Sequence, residues 1–198
     1  MKTIEIIDIK NLFQNELRYL NKALINTKNL YHTFTLGTIN KNQCETRTVV
    51  LRNVQANPLK IYFNADYRSP KVKQLLDNSN CSALFYDVSR RVQLRFKTEA
   101  KIYYKDEISK SVWQKTPLQS RKCYMGEFNP SQSLENWNPN IPLKYLKNDP
   151  EKKESELGFK NFSHIELKVI ETDLLKLYHD GHIRIKIDRK NKIEFIAP

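Results

Sequence analysis

From Tyr31 onward the chain alternates apolar with polar residues, and a period of two confines most of it to β-strands. The segments TFTLGTIN, TRTVVLRNV and LKIYFNA are rich in Thr, Val, Phe and Tyr, and the turn signals NKNQ and QANP part them. CSALFYDV and RRVQLRFKTEAKIYY continue the pattern; FSHIELKVIET, LLKLYH, HIRIKID and KIEFIAP close it. Helical spacing is confined to three places. Residues 11–25 put Leu12, Phe13, Leu17, Leu20 and Leu24 on one face, SPKVKQLLDN starts with Ser69 as N-cap and Pro70 at the first helical position, and KDEISKSVWQ follows the long strand. Eight or nine short antiparallel strands with a few helices predict a mainly β, α+β fold, a small barrel with helical additions rather than a sandwich.

Residues 127–160 break the pattern. Pro130, Pro139, Pro142 and Pro150, many Asn and the charge run NDPEKKESE predict an exposed, irregular loop insertion, not a second domain. A chain of 198 residues without an internal repeat then reads as one domain over 1–198.

The four glycines, Gly37, Gly126, Gly158 and Gly181, stand far apart, so neither GxGxxG nor GxxxxGK[ST] can be written with them. A phosphate in this protein must be held by side-chain cations. Those are plentiful: 34 Lys+Arg against 22 Asp+Glu give a net +12. They are scattered among acids with no basic run or nucleic-acid reader motif, which argues for surface solvation over nucleic-acid binding. Hydrophobic residues at 39% and aromatics at 11% exclude a disordered basic tail. Cys44, Cys81 and Cys123 are odd in number and lack a CxxC, so they read as buried or semi-buried thiols, not a disulfide frame or zinc site. His179 and His182 have no further ligands near them, and no metal is expected. MKTIEIIDIKNLF is interrupted by Glu5, Asp8 and Lys10 and is no signal peptide; no apolar run approaches the ~20 residues of a membrane helix, and a cytoplasmic location is expected.

Where the cations fall is informative. In the long strand Val92, Leu94 and Phe96 share a core-grade face, while Arg91, Gln93, Arg95 and Lys97 share the other. Arg47, Val49 and Leu51 alternate with Thr48, Val50 and Arg52. Arg68, Ser69 and Lys71 gather at a helix start, where unpaired N–H groups and the macrodipole favour anions. His182, Arg184 and Lys186 line one face of a late strand.

Taken in order, R-x-V-V-L-R, A-D-Y-R-S-P-K, R-V-Q-L-R-F-K-T-E-A and H-x-R before a terminal strand ending in A-P resemble the pyridoxamine 5′-phosphate oxidase-like family of FMN-binding split barrels. The resemblance runs from the opening helix to Pro198 and leaves out the insertion; the stretch from Trp113 to Arg121 is more similar to the family's broader branch than to the vitamin-B6 oxidase. It implies an antiparallel split β-barrel, a homodimer and FMN at the subunit interface. Arg47 is implied as a phosphate ligand, Thr48, Val49, Val50 and Leu51 as backbone contacts along the flavin, and Arg52 as the basic residue closing that strand. Ser69 and Lys71 match a phosphate clamp, with Arg68 added to it. Gln93 matches the glutamine that hydrogen-bonds the ring, Arg95 the arginine beside it, and Arg184 a second-subunit residue reaching the cofactor. His182 matches a substrate-side histidine and the catalytic candidate, and Trp113 and Arg121 complete the expected substrate contacts.

The departures bear on substrate. Ala65 stands where the family has a threonine hydroxyl; Asp180 and Pro117 stand where the B6 oxidase holds its phosphorylated substrate with arginines. An acid in place of an arginine repels a phosphate. The resemblance therefore implies an FMN-dependent oxidoreductase passing a hydride between flavin and a small molecule that need not be pyridoxamine 5′-phosphate. A flavin-binding or sensing protein without turnover is the alternative, and a basic nucleic-acid-binding domain a more distant one.

Overall fold

The computed structural model describes residues 6–198, so the part of the leader reading that falls on residues 1–5 lies outside the described residues. The alternating segments form nine strands: β1 Thr33–Asn40, β2 Gln43–Val50, β3 Asn53–Ala56, β4 Leu59–Asp66, β5 Asn80–Asp87, β6 Val92–Tyr104, β7 Phe162–Lys176, β8 Ile183–Ile187 and β9 Ile193–Phe195. They make one sheet in the order β2-β1-β5-β6-β7-β4-β3, with β8 added to β7 and β9 to β8. The pairs β1–β2, β1–β5, β5–β6, β3–β4, β7–β8 and β8–β9 run antiparallel, as the fold class requires.

Two departures from the pattern have local causes. TRTVVLRNV is not one strand. The Leu51 N–H donates to His32 O at 2.9 Å and the Arg52 N–H to Tyr62 O at 2.8 Å, so the chain changes partners there. Conversely, FSHIELKVIET and part of LLKLYH fuse into the 15 residues of β7, because the acid between them, Asp173, stays in the ladder opposite Lys186.

The chain divides into two compact units, the first made of residues up to Phe63, Asn80–Ala100 and Leu167–Pro198. Its core is aromatic: Phe34 and Phe85 stack with centroids 4.9 Å apart, and Tyr31 meets Phe85 edge-on at 5.5 Å. Helix α1 (Ile6–Ala23) buries Ile9, Leu17, Leu20 and Ala23, and it also buries Glu16. That carboxylate accepts from the Tyr31 hydroxyl at 2.9 Å and from Arg90 Nη1 at 2.6 and 2.7 Å, so the buried charge is paired. Arg90 in turn donates through Nε to Asp87 at 2.6 Å and lies 3.6 Å over the Tyr19 ring.

The second unit is Asn64–Ser79 with Lys101–Glu166. It holds α2 (Pro70–Asp77), α3 (Glu107–Lys115), α4 (Leu118–Arg121) and α5 (Lys152–Ser155). Asp106 opens α3, its carboxylate accepting from the Ser109 N–H at 2.7 Å while the Ser109 hydroxyl accepts from the Asp106 N–H, a complete capping box. Trp113 packs on Phe162 at 5.1 Å and Tyr124 at 5.8 Å. The irregular segment is pinned rather than loose: the Phe128 N–H donates to Asn140 Oδ1 at 3.0 Å, and Asn140 Nδ2 donates to Phe128 O at 2.9 Å. A Cβ at Gly126 would stand 2.2 Å from Asn140 O, so only glycine fits that approach.

The thiols differ from expectation, since Cys44 and Cys123 are exposed and only Cys81 is buried. Burial pushes the Cys81 thiol up to about 11, against a hydrogen bond with Thr98 that lowers it.

Candidate functional site

In the first unit β2 carries Arg47 opposite Leu36 of β1. Its guanidinium is already shared: Nη1 donates to the Thr38 hydroxyl and to Glu45 O at 3.0 Å, and Nη2 pairs with the Glu45 carboxylate at 3.1 Å. Val49 and Leu51 are buried on the same side, Val50 is half-buried, and Thr48 and Arg52 are exposed, which matches the alternation. Arg52 itself lies beyond the end of β2.

On β6, Val92, Leu94 and Phe96 are fully buried, Gln93 is half-buried opposite Tyr86, and Arg95 and Lys97 are exposed. Arg91 is not part of that face, because it sits in the preceding turn with φ 54°. Arg95 meets a partner that sequence reading missed. Its Nη2 donates to Asp173 of β7, and Arg184 of β8 reaches the same carboxylate through Nε at 3.1 Å and Nη2 at 2.9 Å. Burial alone would raise the Asp173 carboxyl, but hydrogen bonds from Arg184 and Arg95 outweigh it and hold the group below the usual carboxylate range. The signal was available, since an acid directly before the apolar pair Leu174-Leu175, within the run V-I-E-T-D-L-L, calls for a buried cation. A cavity of about 440 Å³ opens on this cluster, lined also by Leu84, Lys97, Glu171 and Lys186. His182 is exposed and precedes β8, so it does not share that strand's face as the sequence pattern predicted. Asp180 is fully exposed, 3.4 Å from His179.

In the second unit Ser69 stands at the N-cap of α2 with Pro70 behind it, as expected, but its hydroxyl makes no capping bond. Ser69 is 1% exposed, and its Oγ is buried without a hydrogen-bond partner. Few buried polar atoms go unsatisfied, and among the described residues Ser69 Oγ shares that condition with Arg90 Nη2 and the Tyr145 hydroxyl. Lys71 is half-buried in the first turn. Arg68 is not available to a ligand in the way the sequence implied. It grips Asp66 through Nε at 3.0 Å and Nη2 at 2.7 Å, and also donates to Gly126 O and Glu127 O, both at 3.1 Å. Its work is to tie the turn before α2 to the irregular segment.

Trp113 and Arg121 are likewise corrected. Both are 1% exposed. The Trp113 indole donates to Glu156 at 3.1 Å, and the Arg121 guanidinium is consumed by acceptors of the same unit, Glu156 at 2.8 Å among them. Neither reaches solvent, so a structural role replaces the expected substrate contact.

Residues 12–104 match the family model described as the FMN-binding domain of pyridoxamine 5′-phosphate oxidase. No curated protein matches the chain by sequence. Among solved structures it is similar to a pyridoxamine 5′-phosphate oxidase-related, FMN-binding protein from Nostoc punctiforme, at 18% identity and TM-score 0.70, covering 93% of this chain and 96% of that one. It is also similar to PhzG from Burkholderia lata, solved with tetrahydrophenazine-1-carboxylic acid, at 15% identity and TM-score 0.67, covering 94% and 92%. At such identities the likeness carries the fold. Among the described residues no helix is long and apolar enough to cross a membrane.

Proposed function

We propose, for a chain whose residues 12–104 belong to the FMN-binding domain family of pyridoxamine 5′-phosphate oxidases, that the protein is an FMN-dependent oxidoreductase acting as a homodimer on a small molecule other than pyridoxamine 5′-phosphate. The observation that carries the reading is the matched span itself, which holds R47-T-V-V-L-R52, S69-P-K71 and Q93-L-R95 together. FMN is the cofactor, and when bound it supplies hydride transfer, while the chain supplies binding, orientation and electrostatics.

The phosphate is assigned to Ser69 and Lys71, with Arg47 as a further cation. The unpartnered Ser69 hydroxyl supports this, because a phosphate oxygen would satisfy it. Gln93 and the backbone from Thr48 to Leu51 are assigned to the ring, with Arg52 and Arg95 beside them and Arg184 contributed by the second copy. His182, exposed and near the start of β8, is assigned to hold a proton or hydrogen bond on the substrate. Asp180 puts a negative charge two residues from it and disfavours a phosphorylated substrate.

Adding the purified protein to FMN should quench the flavin fluorescence and shift its visible absorption bands; fluorescence and bands that stay those of free FMN would end the reading. Lys71→Ala should weaken FMN by about 1.5–3 kcal/mol, the worth of a hydrogen bond to a charged group. Arg47→Ala should weaken it less, since that guanidinium is already shared with Glu45 and Thr38. Oxygen-linked turnover of pyridoxamine 5′-phosphate should be absent, and robust turnover would show that Asp180 does not exclude it.

Ser69→Ala separates binding from folding. A capping serine normally stabilises its helix, but this hydroxyl makes no capping bond. Removing a buried, unsatisfied hydroxyl should leave the cofactor-free protein as stable or up to about 1 kcal/mol more stable. FMN affinity should fall in the same variant. Thermal unfolding and flavin titration read the two signs separately, and a loss of both would return Ser69 to a purely structural role.

A further inference from the structure

We propose that Asp173 is a positioning residue for the flavin site, fixing the directions in which Arg95 and Arg184 present their remaining N–H groups. The proposal rests on the flavin reading above, which assigns Arg95 to the cofactor of its own copy and Arg184 to that of the second copy. Asp173 is 4% exposed, on β7, directly opposite Lys186 of β8 and diagonal to Arg184, which pairs with Leu175. One carboxylate takes Nε and Nη2 of Arg184 and Nη2 of Arg95. That leaves Nη1 of Arg184 and Nε and Nη1 of Arg95 for other acceptors, held in a plane that the fork geometry fixes. The two guanidiniums are like charges meeting at one point; without the acid between them they repel and swing apart. The neighbouring charges are arranged around the same cavity, where Lys97 pairs with Glu171 at 3.0 Å and Lys186 lies across the ladder from Asp173.

The proposal has a sign that simple charge does not. Removing a carboxylate near a site for a dianion should, by Coulomb's law alone, tighten binding, and the gain should fade with salt. Loss of positioning should do the reverse. Asp173→Asn is nearly isosteric and keeps one acceptor, so it should weaken FMN about tenfold, part of the value of a charged hydrogen bond.

The experiment is FMN titration by fluorescence on four full-length proteins: parent, Asp173→Asn, Arg184→Met and the double variant, each at low and moderate salt. Because Asp173 works through both arginines, the double variant loses less FMN affinity than the sum of the two single losses, a non-additivity that separate contributions would not give. Tighter binding by Asp173→Asn, unchanged binding, or additive losses would each overturn the proposal while Arg184→Met still weakened FMN. A parent that binds no FMN, or an Arg184→Met variant that binds it as the parent does, would instead fail the flavin reading. If Asp173→Asn does not fold, Asp173→Glu makes the same test at constant charge: displacement of the carboxylate should weaken FMN, and parental affinity would overturn the proposal.

Discussion

Arg121→Met is expected to cost the second unit about 3–5 kcal/mol of stability, since several interior acceptors lose their donor at about 1–3 kcal/mol each. Arg121 is 1% exposed, and each of its N–H groups has an acceptor. Nε donates to Thr116 O at 3.0 Å, Nη1 to the Ser155 hydroxyl at 3.1 Å and Glu156 at 2.8 Å, and Nη2 to Trp113 O at 2.8 Å and Gln114 O at 3.1 Å. The guanidinium also lies 4.7 Å from the centre of the Trp113 ring. Methionine fills part of the volume but satisfies none of these acceptors. Glu156, half exposed, can turn to water, whereas the carbonyls at the end of α3 and the Ser155 hydroxyl lose a partner in the interior. Arg121→Lys should recover little, because an ammonium offers three donors from one point and cannot span acceptors on both sides of a planar fork. Urea unfolding measures the loss. Parental stability in Arg121→Met, with a raised KM for substrate, would restore the substrate role that sequence reading gave the residue.

That arginine shows where sequence stops informing. The alternation of β6 was legible because it is a property of one strand: Val92, Leu94 and Phe96 must face one way, and they are all buried. The helix start at Ser69-Pro70 was legible because N-cap and N1 preferences are local. The break after Val50 was not, since it depends on which carbonyls, His32 and Tyr62, wait for the next two N–H groups. Nor was the fate of the cations. Arg68 and Arg121 look like ligand-seeking charges in the sequence, yet Arg68 answers to carbonyls at 126 and 127, and Arg121 to a hydroxyl and a carboxylate at 155 and 156. A charge's partner is a tertiary fact. Composition asks that a phosphate be met by side-chain cations without a glycine loop, and the proposal adds to Lys71 and Arg47 the buried Ser69 hydroxyl at the start of α2.

Acidification should destabilise the second unit between about pH 6.5 and about 4 by as much as about 3 kcal/mol, and His164→Gln should flatten that dependence. His164 is 6% exposed; its Nδ1 carries the hydrogen that meets Asn64 Oδ1 at 2.7 Å, and Tyr103 stacks beside the ring. Burial pushes the imidazole down to about 4, despite the carboxylates of Glu166 and Asp106, which favour its charged form. In the unfolded chain the ring takes its proton near the ordinary value of about 6.5, whereas the folded ring resists until about 4. Below the upper value the unfolded state therefore binds more protons, so stability is complete above that pH and drains away as pH falls to the folded value. The difference between the urea stabilities of parent and His164→Gln, followed against pH, isolates this term from other carboxylates. Parallel curves would mean that the ring is not held neutral. A parent that gained stability on acidification would mean that the folded ring takes its proton more readily than the unfolded one. The consequence reaches the site, because Asn64 begins the segment that continues through Asp66 to Ser69, tied down by Ser163 donating to Ala65 O at 2.8 Å and by Tyr67 donating to Asn161 O at 2.7 Å. FMN retention should thus fall over the same interval in the parent. Protonation of the phosphate near about pH 6 weakens binding in any variant, so the part of the loss that disappears in His164→Gln is the part the protein's own histidine imposes.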